Sequence, residues 1–253
     1  LIKKNYLENL NNSKKPFIIY RSNKGFDLYT DFSKKIILTK NNIEKFINQS
    51  TKLKSKKKET DLFIGFFGYE ILNNLIGIKV KKQKGLKFPK GIFYKPETKI
   101  KLPSKLNYKN LRKVKPNKLF KININKSSYK VIFDKFKKKI KSGETYQIKI
   151  CTKYSNKAKI DALDYFSRLV KTNMAPEAFM IKDKDYSIIS CSPENLIIKK
   201  NDLISTKPIA GTLKKNIKLN KVKALAFFKK NIKESKEHNM IVDMERSDLS
   251  KIC

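Results

Sequence analysis

Between Ser128 and Glu237 the spacing of apolar residues switches repeatedly between a helical period and strict alternation. That mixed order limits the folds open to the chain. Ser128 reads as the cap of a helix with Tyr129, Ile132, Phe133, Phe136 and Ile140 on one face, closed by Gly143. Residues 146–154 alternate as a strand, with Tyr146, Ile148 and Ile150 on one face and Gln147, Lys149, Cys151 and Lys153 on the other. A helix follows over 162–171, burying Leu163, Phe166, Leu169 and Val170, and then a hairpin of 178–182 and 186–191 about Asp183-Lys184-Asp185. Two further short strands lead to a long helix over 219–237, with Val222, Leu225, Phe228 and Ile232 inward. The first half reads as strands at 16–20, 26–29, 35–39 and 62–69 with a helix over 43–49. Polar runs at 51–60 and 96–118 read as seams. No regular strand–helix alternation is present, so the expected class is α+β, with largely antiparallel sheets and outer helices.

The chain has 253 residues, 40% of them hydrophobic, enough for a substantial core. No apolar run approaches the roughly 18 residues of a membrane span. Leu1–Asn5 lacks the features of a signal peptide. Cys151, Cys191 and Cys253 have neither metal-ligand spacing nor an even count, and read as small packed residues of a reduced, cytoplasmic protein.

A formal net charge of +38 would suit nucleic acid, but the excess is lysine, with only Arg21, Arg112, Arg168 and Arg246 as arginines. Phosphate and base recognition favours the arginine fork, and these lysines form no stripe. Lys, Ile and Asn share A/T-rich codons, so codon bias accounts for the excess. The expectation is a protein without a nucleic-acid partner, whose positive field draws in a small polyanion.

Two short apolar runs close in sharp polar turns, Cys191-Ser192-Pro193-Glu194 and Lys207-Pro208-Ile209-Ala210-Gly211-Thr212. Backbone N–H groups, a hydroxyl and a carboxylate can there face a small anion. Glu234 and Glu237 stand three apart, on one face of a helix, where two hard carboxylates suit Mg²⁺. Taken alone, the pair equally suits a solvated helix end.

Together these segments resemble the chorismate-utilising enzymes, the group of anthranilate synthase component I, aminodeoxychorismate synthase component I, isochorismate synthase and salicylate synthase. Four matches fall in order: Gly143-Glu144-Thr145-Tyr146-Gln147-Ile148, Ser192-Pro193-Glu194, Pro208-Ile209-Ala210-Gly211-Thr212 and Glu237-His238-Asn239-Met240-Ile241-Val242-Asp243. Gly65-Phe66-Phe67-Gly68-Tyr69-Glu70 is similar to the amino-terminal region of the two aminating members. The resemblance implies an incomplete fold of the anthranilate synthase component I and aminodeoxychorismate synthase type. Residues 1–118 would form the amino-terminal region and 119–253 the front portion of the chorismate-binding domain.

The resemblance also supplies roles. Glu194 would protonate the departing C4 hydroxyl of chorismate. Ser192, Ala210, Gly211 and Thr212 would bind substrate, and Glu234 and Glu237 would help place Mg²⁺. Gln147 stands where water-adding members carry a lysine base. An amide cannot take up a proton, so ammonia from a glutaminase partner would attack C2. Lys149, on the same face, departs from the family's neutral residue.

Ala210 stands where many aminodeoxychorismate synthases have an attacking lysine, which leans toward anthranilate synthase. Tyr146 and the lack of a Leu-Leu-Glu-Ser-like segment favour aminodeoxychorismate synthase instead. Isochorismate or salicylate synthesis and a basic nucleic-acid-binding module are the remaining alternatives. His238 is expected to be structural, capping its helix, since the family's catalytic histidine lies further on. The chain stops at Ile252-Cys253, where the family continues. A front portion inactive by itself is therefore expected.

Overall fold

Phe17, Ile18 and Ile19 are all buried, so the strand that carries them must be covered on both faces. The computed structural model describes residues 6–51, 58–78, 88–106, 108, 119–216 and 219–253. In chain order, α1 (Tyr6–Asn12) leads to β1 (Phe17–Ser22), β2 (Gly25–Ile37), α2 (Ile43–Thr51), β3 (Ile64–Phe67), α3 (Tyr69–Leu75) and β4 (Gly91–Leu102). Next come β5 (Lys121–Ile122), α4 (Lys126–Lys141), β6 (Tyr154–Ser155), α5 (Ala162–Thr172), β7 (Glu177–Lys182) and β8 (Ser187–Ser192). The last described elements are β9 (Ile198–Lys200), β10 (Leu203–Ser205), α6 (Lys221–Lys230) and α7 (Ile232–Leu249).

The chain forms two compact units, residues 1–108 with 166–253, and residues 109–165. The first is built on an antiparallel sheet in the order β3-β4-β2-β1-β7-β8. On one side of it Ile18, Tyr29, Ile92, Tyr94 and Ile181 form a core cluster. Elsewhere in the unit Phe26 meets Phe166 of α5 edge to face, and Leu38, Ile43, Phe46 and Ile71 form a second cluster that seats α2. The expected α+β class with antiparallel sheet is observed, and the hairpin of β7 and β8 falls where the sequence places it.

Residues 26–29 and 35–37, expected within two separate strands, belong to one long β2, and the expected residues 38 and 39 lie past its end. Its partner β4 runs opposite it throughout, and a bulge between Phe32 and Lys34, after Asp31 at φ 51°, absorbs the polar interruption. The seam expected over 96–118 is strand as far as Leu102 for the same reason; residues 107 and 109–118 lie outside the described residues, as do 52–57 of the other seam.

Tyr94 and Lys35 converge on the buried carboxylate of Asp183 in the β7–β8 turn. Burial pushes that carboxyl up, but hydrogen bonds from Lys35, Tyr94 and the Lys184 amide outweigh it and hold the group below the ordinary carboxylate range.

In the second unit α4 begins earlier than expected. Asn125 is its cap, accepting from the Ser128 N–H at 2.8 Å, because a side-chain carbonyl one residue before the helix satisfies an orphan donor. Gly143, at φ 78°, ends the helix as expected. The strand expected over 146–154 does not form. Only Tyr154 and Ser155 pair, with Lys121 and Ile122, and residues 146–153 have no strand partner among the described residues.

The single helix expected over 219–237 is two. Asn231 breaks it with an extended backbone (φ −84°, ψ 96°), and its side chain caps α7 by accepting from the Glu234 N–H. The Asn231-x-x-Glu234 pattern is a capping signature inside a run whose apolar spacing looks continuous. Val222, Leu225 and Ile232, expected inward, are exposed, while Phe228 is half-buried.

Candidate active site

β8 is an edge strand that ends at Ser192, and the chain then turns sharply. The Ser192 hydroxyl donates to the Glu194 carbonyl at 3.0 Å and accepts from the Glu194 N–H, so it closes this turn. The turn aims the Glu194 side chain at the second loop, where its Oε1 accepts from the Ile209 N–H at 2.7 Å. Ser192 and Glu194 also edge a cleft of about 250 Å³ that contains the hydrogen-bonded pair of Tyr20 and Glu177. Burial, and then the Glu177 carboxylate, raise the Tyr20 phenol well above its ordinary value, so it stays protonated.

Segment 206–216 has no regular secondary structure. Gly211 lies in the left-handed region at φ 76°, and a Cβ there would fall against the Glu234 carboxylate and the Phe228 ring. Ala210 and Thr212 flank this approach, Thr212 exposed and Ala210 half-buried. Upstream, Thr206 Oγ1 lies 2.8 Å from Glu245 Oε2 of α7.

Glu194 and Glu234 therefore meet the same three-residue turn from two different elements. Chain geometry from Ile209 to Gly211 limits the separation of the two carboxylates to roughly 15 Å. They share the turn; Glu234 does not line the cleft beside Glu194.

Glu234 sits in the first turn of α7, where the helix dipole favours a carboxylate. The Lys233 ammonium lies 3.3 Å from Glu234 and 3.7 Å from Glu237, so one positive centre reaches both carboxylates. The hydrogen bond that Lys233 donates to Glu234, then the charges of Glu234 and Glu237, raise Lys233 above its ordinary value. Among the described residues no group of three or more His, Cys, Asp and Glu side chains is placed to enclose a metal. Two carboxylates fit Mg²⁺, which keeps waters and takes other oxygens from substrate.

Gln147 belongs to the second unit, exposed, with its backbone carbonyl accepting from the Thr145 hydroxyl. Lys149 lies near it, but no strand forms to align the two. His238 is exposed within α7 and caps nothing, since Asn231 and Ser250 hold the helix ends. Cys151 and Cys253, expected to be packed, are exposed; Cys191 is half-buried, and that burial raises its thiol.

Residues 98–253 match the family described as chorismate binding enzyme. The chain belongs to this family. Among similar family proteins, aminodeoxychorismate synthase component 1 of Bacillus subtilis (strain 168) is 31% identical over 120 residues, 47% of this chain and 26% of that protein. Anthranilate synthase component 1 of Buchnera aphidicola subsp. Diuraphis noxia is 26% identical over 254 residues, 83% of this chain and 48% of that protein. The crystal structure of anthranilate synthase component I from Streptococcus pneumoniae TIGR4 matches with a TM-score of 0.67 at 20% identity, over 95% of this chain and 60% of that one. That likeness shows the fold. The chain spans about half the length of the curated relatives it matches. No helix among the described residues is long and apolar enough to cross a membrane.

Proposed function

We propose that this chorismate-binding chain is part of a Mg²⁺-dependent synthase subunit that aminates chorismate, leaning toward anthranilate synthase component I. The observation that carries this is the meeting of Glu194 and Glu234 on the 209–211 turn. In this reading residues 1–118 are the amino-terminal region and 119–253 the front portion of the catalytic domain. Ammonia, supplied by a glutaminase partner, attacks C2 of the ring, both ring double bonds shift toward C4, and the C4 hydroxyl leaves as water with a proton from Glu194; loss of the C3 side chain as pyruvate then gives the aromatic amine. Gln147 leaves water unactivated, so the amine is the nucleophile.

The Gly211 backbone and Thr212 hydroxyl hold a substrate carboxylate, beside Ala210 and with Ser192 shaping the loop below. Glu234 and Glu237 would hold Mg²⁺, which when bound neutralises the ring carboxylate. Lys233, now on both carboxylates, would have to give them up for the metal to be held there.

Aminodeoxychorismate synthesis is the second reading. It is favoured by Tyr146 before Gln147 and by the Bacillus subtilis relative of that name at 31% identity. One assay separates the two. The chain, completed by a polypeptide equivalent to the unmatched part of its relatives, is given chorismate, Mg²⁺ and ammonium. Direct appearance of fluorescent anthranilate, with no added lyase, supports the first. A product that turns into an aminobenzoate only when a lyase is added supports the second, and no consumption of chorismate removes both.

A further inference from the structure

We infer that Glu245 is a positioning residue of this site, acting through the hydroxyl of Thr206; the inference rests on the proposed chorismate reading. Thr206 Oγ1 lies 2.8 Å from Glu245 Oε2 and 3.0 Å from the Leu196 carbonyl. A hydroxyl has one proton to give, and the nearer, charged acceptor takes it.

The consequence follows from two lengths. Glu234 and Glu245 stand about three turns apart on one face of α7, roughly 16 Å along its axis at 1.5 Å per residue. The chain from Thr206 to Gly211 reaches at most roughly 18 Å when extended. Thr206 is tied to Glu245, and Gly211 packs against Glu234, so the segment runs antiparallel to α7 and is anchored at both ends. Pro208 keeps Lys207 extended, which stiffens it further. A segment held at both ends has little freedom to slide. The Thr206–Glu245 hydrogen bond therefore fixes where Ile209 meets Glu194 and where Gly211 meets Glu234. Glu245 touches no reacting atom in this scheme; it sets the register of the residues that do.

The test uses the 253-residue chain without substrate. Amide hydrogen exchange is read at Ile209, Gly211 and, as a control in the central strand, Ile19; Mg²⁺ affinity is then titrated on the same variants. Thr206→Val and Glu245→Ala each raise exchange at Ile209 and weaken Mg²⁺ binding by about tenfold, as expected for losing a hydrogen bond to a charged group. Thr206→Ser and Glu245→Gln keep a donor and an acceptor and stay within about twofold of the unaltered chain. Unchanged exchange at Ile209 in both deletion variants overturns the inference, as does an equal rise at Ile19, which reports general loosening. Should the unaltered chain take up no Mg²⁺ without substrate, the chorismate reading is left to the completed enzyme, while exchange at Ile209 still decides the role of Glu245.

Discussion

A Cβ on Gly211 would stand 2.5 Å from the Glu234 carboxylate oxygen and 2.9 Å from the Phe228 ring, at a backbone φ of 76°. A Cβ there would have to push aside the Glu234 carboxylate and the Phe228 ring. Gly211→Ala adds a left-handed strain of about 1–2 kcal/mol and displaces Glu234. We expect the strain to lower the stability of the folded chain, and the displaced carboxylate to weaken Mg²⁺ binding, read by calorimetric titration. Retained affinity would mean that Glu234 does not depend on the turn.

Glu194→Gln separates holding from proton transfer. The amide oxygen still accepts from the Ile209 N–H, so the turn and the thermal midpoint stay unchanged. No proton is available for the C4 hydroxyl, and chorismate turnover in the completed enzyme falls by about 10²–10⁴. Comparable turnover in the variant would place the acid elsewhere.

Lys233 competes with any cation for Glu234 and Glu237. It is exposed, so the competition is weak. Lys233→Met is expected to tighten Mg²⁺ binding by about two- to fivefold, the scale of an exposed ion pair. Weaker binding in the variant would show the ammonium supporting the site.

Asp183 links stability to acid. Its folded-state carboxyl titrates below its unfolded value, so the stability it contributes is complete above about pH 4 and is lost as pH falls through the folded value. Asp27 behaves alike: burial raises its carboxyl, but Lys101 and Lys99 outweigh this and lower it. Urea unfolding below about pH 4 should therefore show a shallower loss of stability in Asp183→Asn than in the unaltered chain. Identical acid limbs would mean that the Lys35 and Tyr94 contacts do not lower Asp183.

The sheet was largely legible in the sequence, because Phe17–Ile19 and residues 178–182 and 186–191 are apolar runs closed by turn residues, and burial of such runs decides their fate. Residues 146–153 show how alternation fails as a guide: it marks a segment fit to pair and cannot supply the partner. At Asn231 the reverse occurred, since a local capping signature overrode helical spacing. Glu194 stood out by its polar turn and Glu234 by its spacing from Glu237, but only the resemblance to a family gave them roles. Their meeting at Ile209 and Gly211 joins an edge-strand turn to a helix far along the chain. Thr206 and Glu245 carried no local signal, since neither residue is unusual until the segment is laid along α7.

Calorimetric titration of the completed enzyme with chorismate, with and without Mg²⁺, tests most directly whether the turn and the two carboxylates form one site. Binding should require Mg²⁺, disappear in Glu234→Ala and Glu237→Ala, and weaken in Gly211→Ala. Chorismate affinity indifferent to Mg²⁺, or unchanged in Glu234→Ala, would contradict a shared site.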